Sequence, residues 1–167
     1  MFTIFLGLGS NLGDKAGYLR AGLQKISEKV GRLKKTSGIY ETEPWGVDGQ
    51  DSYYNLVAEV ETPLPPLQLM QVIRQIEQDC GRERKERWGS RTLDIDLLFF
   101  EDYYFTTPEL TVPHPRLTER NFVLYPMTEI APDFVHPVKR LTLAELKDRS
   151  PDTGWINRNL DANIACP

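Results

Sequence analysis

Two aspartates one residue apart, Asp94-Ile95-Asp96, carry the sharpest chemical signal in this chain of 167 residues. Leu93, Ile95, Leu97 and Phe99 alternate around them with the period of a half-buried strand, which puts both carboxylates on the opposite face. Their Cα atoms should lie about 6.5–7 Å apart. Paired hard carboxylates on a rigid element suit Mg²⁺, which takes one or two carboxylates together with phosphate oxygens. Two such ions, about 3.5–4 Å apart, suit phosphoryl-type transfer. Taken alone, Asp-x-Asp more often marks a solvent-facing strand edge, and the neighbouring residues have to decide.

Residues 82–91 hold five Lys/Arg and two acids, a local +3 in a chain of net charge −4, so the remainder carries −7. The run ends three residues before Asp94 and delivers Arg82, Arg84, Lys85, Arg87 and Arg91 beside the acids, where a triphosphate would bridge metal and guanidinium. Arginine forks bind phosphate bidentately and can follow charge as it develops in a transition state. Such a run is ordinarily a solvated loop, but Trp88 within it wants a surface to cover. One basic patch on an acidic body points to a small, highly charged anion rather than to nucleic acid or an anionic membrane.

His114 lies in Val112-Pro-His-Pro-Arg116, held by a proline on each side, with Thr111, Arg116 and Arg120 nearby. A side chain presented from so stiff a segment loses little entropy on binding, and its company indicates a nucleotide contact. Trp45, Tyr53, Tyr54, Asn55, Trp88 and Phe122 supply ring faces and a side-chain amide of the kind that hold a flat heteroaromatic ring. His136 has no such company and reads as structural. Gly7-Leu-Gly-Ser-Asn-Leu-Gly13 has its third glycine one residue too late for GxGxxG, and Gly13 precedes Asp14-Lys15 rather than a P-loop ending. Any nucleotide would therefore be held by side chains and metal, with Asn11 part of a turn.

The elements that must position these groups follow from periodicity. Thr3 to Leu8 reads as a buried strand ended by Gly9-Ser10-Asn11. Leu19, Leu23, Ile26 and Val30 make one face of a helix from about Asp14 to Val30, stopped by Gly31. Thr36 to Glu43 reads as extended, and residues 43–52 as a loop dense in turn formers. Tyr54 to Thr62 alternates as a half-buried strand with Leu56, Ala58 and Val60 inward. A second helix opens at Pro63 to Pro66, carries Leu69, Val72, Ile73, Ile76 and Cys80 inward, and ends at Gly81. Leu93 to Phe100 is the best strand, followed by a hairpin at Glu101 to Tyr104. A helix over Glu119 to Ile130 should kink or split at Pro126, and a short one is expected near Leu143 to Lys147. The order strand–helix–strand–strand–helix–strand predicts an α+β, ferredoxin-like split βαβ (βαββαβ) fold, an antiparallel sheet under two helices with a carboxyl-terminal extension.

Composition agrees with an ordinary globular chain: 40% hydrophobic and 26% charged residues, with a mass of 19.2 kDa. Length and the absence of linkers or repeats predict a single domain over 1–167. The longest apolar run, Leu97 to Phe100, is too short to span a bilayer, and no signal-peptide pattern precedes Ile4-Phe5-Leu6, so a soluble, cytoplasmic protein is expected. Two cysteines, Cys80 and Cys166, cannot form a disulfide framework or a Cys₄ metal site and read as a buried thiol and a tail residue.

Arg87-Trp-Gly-Ser-Arg-Thr-Leu-Asp-Ile-Asp-Leu-Leu98 resembles the signature of the 6-hydroxymethyl-7,8-dihydropterin pyrophosphokinases, enzymes of folate biosynthesis. Leu8 to Gly13, Tyr54-Asn-Leu56, Leu110 to Arg116 and Glu119-Arg-Asn-Phe122 match the same family in order, over roughly residues 2–135. The resemblance implies transfer of pyrophosphate from ATP to the pterin hydroxymethyl group with release of AMP. It implies that Asp94 and Asp96 hold two Mg²⁺ ions on the triphosphate. Arg84 and Arg91 would engage the phosphates, with Arg82, Arg87 and Lys85 on the same mobile loop. Thr111 and His114 match nucleotide-contacting positions. Asn55 matches a hydrogen-bonding partner of the pterin, with Tyr53 beside it, Phe122 and Trp88 stacking, Thr42 to Trp45 touching it and Arg120 closing over the site. Glu77 matches an acid near the nucleotide. The family likeness also implies a monomer that needs no protein partner. Glu43, Trp45, Glu109 and Pro115 depart from the family pattern.

Two other readings stay open on the residues alone. Split βαβ domains can present aromatics and basic loops to single-stranded RNA, although the net charge and the acids on the central strand oppose it. A magnesium-dependent kinase for another heteroaromatic alcohol would use the same acids and arginines.

Overall fold

A computed structural model describes residues 1–44, 49, 51–81 and 92–162. Strand β1 (Phe2–Ser10) leads into helix α1 (Lys15–Lys29), strands β2 (Arg32–Thr36), β3 (Ile39–Thr42) and β4 (Tyr53–Thr62), helix α2 (Pro66–Asp79) and strand β5 (Asp94–Phe100). Short strands β6 (Phe105–Thr106) and β7 (Thr111–Val112) follow, then a 3₁₀ turn at Leu117–Glu119, helices α3 (Asn121–Ile130) and α4 (Leu143–Asp148), and strand β8 (Ile156–Asn159). The molecule is an α+β fold. Among the described residues, six strands form one antiparallel sheet in the order β5-β1-β4-β3-β8, with β2 also paired to β4.

Local chemistry explains the boundaries of the helices. The Asp14 carboxylate accepts from Gly17 N at 3.0 Å and starts α1. Pro66 occupies the first turn of α2, where no N–H is required, and Gly81, at φ +85°, ends it in a conformation other residues avoid. Thr142 and Glu145 form a reciprocal capping box on α4. Cys80 is buried at the end of α2, and burial raises its thiol pKa.

Two cores sandwich the sheet. Leu19, Leu23 and Ile26 of α1 and Leu69, Ile73 and Ile76 of α2 pack on one face; Val123, Leu124 and Met127 of α3 with Leu143 and Leu146 of α4 pack on the other. Two helices are expected to cover the sheet; among the described residues all four expected helices do, two on each face. The face of β4 bearing Asn55 and Val57 is consequently buried rather than half-solvated, at 6% and 0% exposure. Pro126 does not split α3, which runs on through it to Ile130.

Three other expectations change. The extended stretch Thr36 to Glu43 holds β3, and an unexpected strand, β2, precedes it; the two are broken at Ser37-Gly38, where the Ser37 hydroxyl accepts from Val57 N at 2.9 Å. Residues 101–104 form a turn leading to β6, which pairs with β7 instead of folding back on β5. The alternation of β5 fails after Leu97. Phe5 faces Phe99 and Leu6 faces Leu97, leaving Leu98 as an extra residue, and Phe99 crosses to the core under α3. No helix among the described residues is long and apolar enough to cross a membrane.

Candidate active site

The sheet face on the α3 side holds a cleft whose floor is a pair of cross-strand rows. Asp94 on β5 lies opposite Gly9 on β1, which lies opposite Asn55 on β4; one step along, Asp96 faces Gly7, which faces Val57. The glycines keep the floor bare. A Cβ at Gly9 would stand 3.0 Å from Asn55 Oδ1, and one at Gly7 would stand 3.4 Å from Leu98. Two carboxylates therefore sit on one strand, and a buried amide sits two strands away, about 9.5 Å at ordinary strand spacing.

The amide is oriented by its neighbours. Asn55 Nδ2 donates to Thr42 Oγ1 at 2.9 Å, a buried bond between β4 and β3 that leaves Oδ1 over Gly9 as an acceptor. Tyr53 and Glu43 continue this wall. Arg120, Phe122 and Val123, at the start of α3, make the facing wall. The Arg120 guanidinium lies 5.5 Å from the Phe122 ring centroid, and burial lowers its pKa, with Arg116 adding to the effect and the two aspartates opposing it.

His114 stands where β5 meets the segment after β7. Its backbone N donates to Leu98 O at 3.0 Å, and its Nδ1 accepts from Arg116 N at 3.3 Å, which leaves the proton on Nε2. Burial first, then the positive charges of Arg120 and Arg116, push the imidazole pKa down to about 4 against the pull of Asp94. His114 is a neutral donor at physiological pH.

The sequence pattern of the 7,8-dihydro-6-hydroxymethylpterin-pyrophosphokinase (HPPK) family matches residues 5–132. The chain belongs to this family. It is 40% identical over 147 residues to the 2-amino-4-hydroxy-6-hydroxymethyldihydropteridine pyrophosphokinase of Aquifex aeolicus, covering 88% of this chain and 91% of that one. The Haemophilus influenzae protein of the same name is 39% identical over 160 residues, 95% of this chain and 99% of that one. In fold the chain is similar to Plasmodium falciparum HPPK-DHPS crystallised with pteroate, with a TM-score of 0.75 at 18% identity over 89% of this chain. It spans 42% of that longer protein.

HPPK membership selects the folate-pathway pyrophosphokinase over the RNA-binding module and the kinase for another alcohol. The structure brings Thr42, Tyr53, Asn55, Asp94, Asp96, Arg120 and Phe122 to one cleft. Thr111 lies on β7, three residues before His114. Tyr54 instead turns to the α1 side, with Lys15 Nζ 4.4 Å from its ring centroid. Glu77, on α2, is 4% exposed, and its Oε1 accepts from Ile95 N at 2.8 Å, the amide between the two aspartates. His136 packs edge-on against Phe99, with Nδ1 accepting from Val138 N and Lys139 N, a structural role as expected. Trp45, Arg82, Arg84, Lys85, Arg87, Trp88, Arg91 and Cys166 lie outside the described residues.

Sequence reasoning missed the floor. Gly7 and Gly9 do not fit phosphate-loop patterns, but an alternating glycine pair inside an apolar strand is itself the sign of a close approach to that strand's face. Glu43 lies in the wall, within the Thr42–Trp45 stretch that the family likeness places against the ring.

Proposed function

We infer that the cleft transfers pyrophosphate from ATP to the hydroxymethyl group of 6-hydroxymethyl-7,8-dihydropterin, giving AMP and the pterin diphosphate. The observation that carries this reading is the row Asp94–Gly9–Asn55, which sets a carboxylate pair and a ring-binding amide on opposite sides of a bare glycine floor.

Asn55 Oδ1 accepts from the pterin's ring nitrogens while Thr42 holds the amide in place; Tyr53 and Phe122 offer ring faces on either side, joined by Trp45 and Trp88. Arg120 closes over the bound ring. The neutral His114 donates from Nε2 to the nucleotide, with Thr111 beside it. Arg84 and Arg91 bind the phosphates, and Arg82, Arg87 and Lys85 on the same loop exclude water from ATP until both substrates are in place.

Asp94 and Asp96 fit Mg²⁺. Among the described residues no group of three His, Cys, Asp or Glu could hold a metal without help, so the site suits an ion that shares two carboxylates with phosphate oxygens and water rather than a closed zinc centre. When bound, two such ions neutralise triphosphate charge and lower the pKa of the attacking hydroxyl, which makes a dedicated general base unnecessary. We read the core as a ferredoxin-like split βαβ, a single domain over 1–167 that acts as a cytoplasmic monomer.

The test is product analysis with purified protein, Mg²⁺-ATP and the hydroxymethyldihydropterin. Pterin-dependent AMP that disappears on chelation is the expected result. ADP would overturn the transferred group, and AMP formation that persists in chelator would overturn the metal.

A further inference from the structure

The two walls of the cleft are tied together from a distant part of the chain. Helix α3 begins at Asn121 and has no side-chain cap from Arg120. The cap comes instead from Asp152, whose Oδ2 accepts from Asn121 N at 2.8 Å and whose carbonyl accepts from Asn121 Nδ2 at 3.0 Å. Arg120 and Phe122 flank Asn121 on either side, and both face the cleft. The other carboxylate oxygen of Asp152 accepts from Gly154 N at 2.9 Å, which turns the chain toward the opposite wall. There Trp155 N donates to Glu43 Oε1 at 3.1 Å, and Ile156 pairs with Thr42, the residue that orients Asn55. A side chain at 154 would come within 2.5 Å of Glu43 Oε1, so Gly154 allows this approach.

We propose that Asp152 is a positioning residue for the pterin: by capping α3 it sets Arg120 and Phe122 at a fixed distance from the Thr42–Asn55 wall. A charged acceptor on a helix-terminal amide is stronger than a neutral one, and its loss frees the first turn to move. The aspartates lie on β5, held by its ladder to β1 and by Glu77 of α2, and His114 is tied to β5 through Leu98 O. The inference rests on the pterin reading of the cleft.

The experiment measures KM for each substrate, pterin Kd in the presence of a non-hydrolysable Mg²⁺-ATP analogue, and Tm, on the full chain. Asp152→Ala should raise pterin KM and Kd about tenfold and leave the ATP KM within about twofold. Asp152→Asn, which keeps an acceptor oxygen for Asn121 N but loses the charge, should raise pterin KM and Kd by a smaller factor of about three, and this intermediate defect carries the test if the alanine variant does not fold. Arg158→Ala is the stability control. It removes the ion pair to Glu129 near the other end of α3, 3.0 Å in length, and should lower Tm without changing pterin KM. Equal effects on both substrates, no effect on pterin, or a pterin defect of the same size in Arg158→Ala would each overturn the proposal. Wild-type protein that binds no pterin would overturn the substrate assignment itself, a result separate from these.

Discussion

The Glu77 carboxylate accepts a hydrogen bond from the Ile95 amide at 2.8 Å, between the two aspartates that face the cleft. Among the described residues β5 is an outer strand of the sheet, so the amides it turns away from β1 face no neighbouring strand there. Helix α2 supplies one from a side chain that is itself almost fully buried. The relationship locks the strand bearing Asp94 and Asp96 to the helical layer.

Glu77→Ala leaves that amide without its acceptor and should destabilise the protein by about 1–3 kcal/mol. Glu77→Gln retains an oxygen and should cost less. Urea titration of both variants checks the order, and an alanine variant as stable as wild type would show that the bond is not needed.

Asp94→Ala and Asp96→Ala should each lower kcat by about three orders of magnitude or more while leaving the fold intact, since several kcal/mol of charge stabilisation go with the metal. Magnesium titration followed by AMP release checks this, together with circular dichroism. Turnover near the wild-type rate would refute the role.

Gly9→Ala and Gly7→Ala form a graded pair. The Cβ at 9 would meet Asn55 Oδ1 at 3.0 Å and should raise pterin KM roughly tenfold by displacing the amide. At 7 the neighbour is the Leu98 methyl at 3.4 Å, an ordinary contact, so the effect should be smaller. Steady-state kinetics with each substrate varied in turn separates them.

The imidazole of His114 makes acid stability titratable. Its folded pKa is about 4, against 6.5 when unfolded, so it stays neutral in the fold while the unfolded chain takes up a proton. Its contribution is whole above pH 6.5 and is lost as the pH falls through the window from 6.5 to 4, about 3 kcal/mol at the end. His114→Gln in the metal-free, nucleotide-free protein should flatten the pH dependence of stability over that window. Denaturation midpoints between pH 7 and pH 4 provide the check.

Arg84→Ala and Arg91→Ala should lower kcat far more than they weaken pterin binding, because guanidinium contacts that strengthen as phosphate charge develops act on the transition state. Single-turnover rates measured beside pterin Kd test the split; unchanged rates would reject it.

Nearest-neighbour patterning was enough to place Asp94 and Asp96 on one face, Asn55 opposite Leu56 and Ala58, and the inward stripes of α1 and α2. In each case the information repeats every two or every three to four residues, and burial of one face enforces it. Likewise the Asp-x-Asp signature and its preceding arginines identify the family without coordinates. Tertiary structure alone decided the rest. The extra residue at Leu98 arises from pairing with β1, the second helical layer buries Val57, and Gly7 and Gly9 become a floor only once β4 and β5 flank them. The cap from Asp152 to Asn121 joins positions 31 residues apart, and the Trp155–Glu43 bond joins positions 112 apart. Such contacts have no local period; they exist because the folded sheet and its helical layers bring distant backbone donors beside acceptors that must be satisfied when buried.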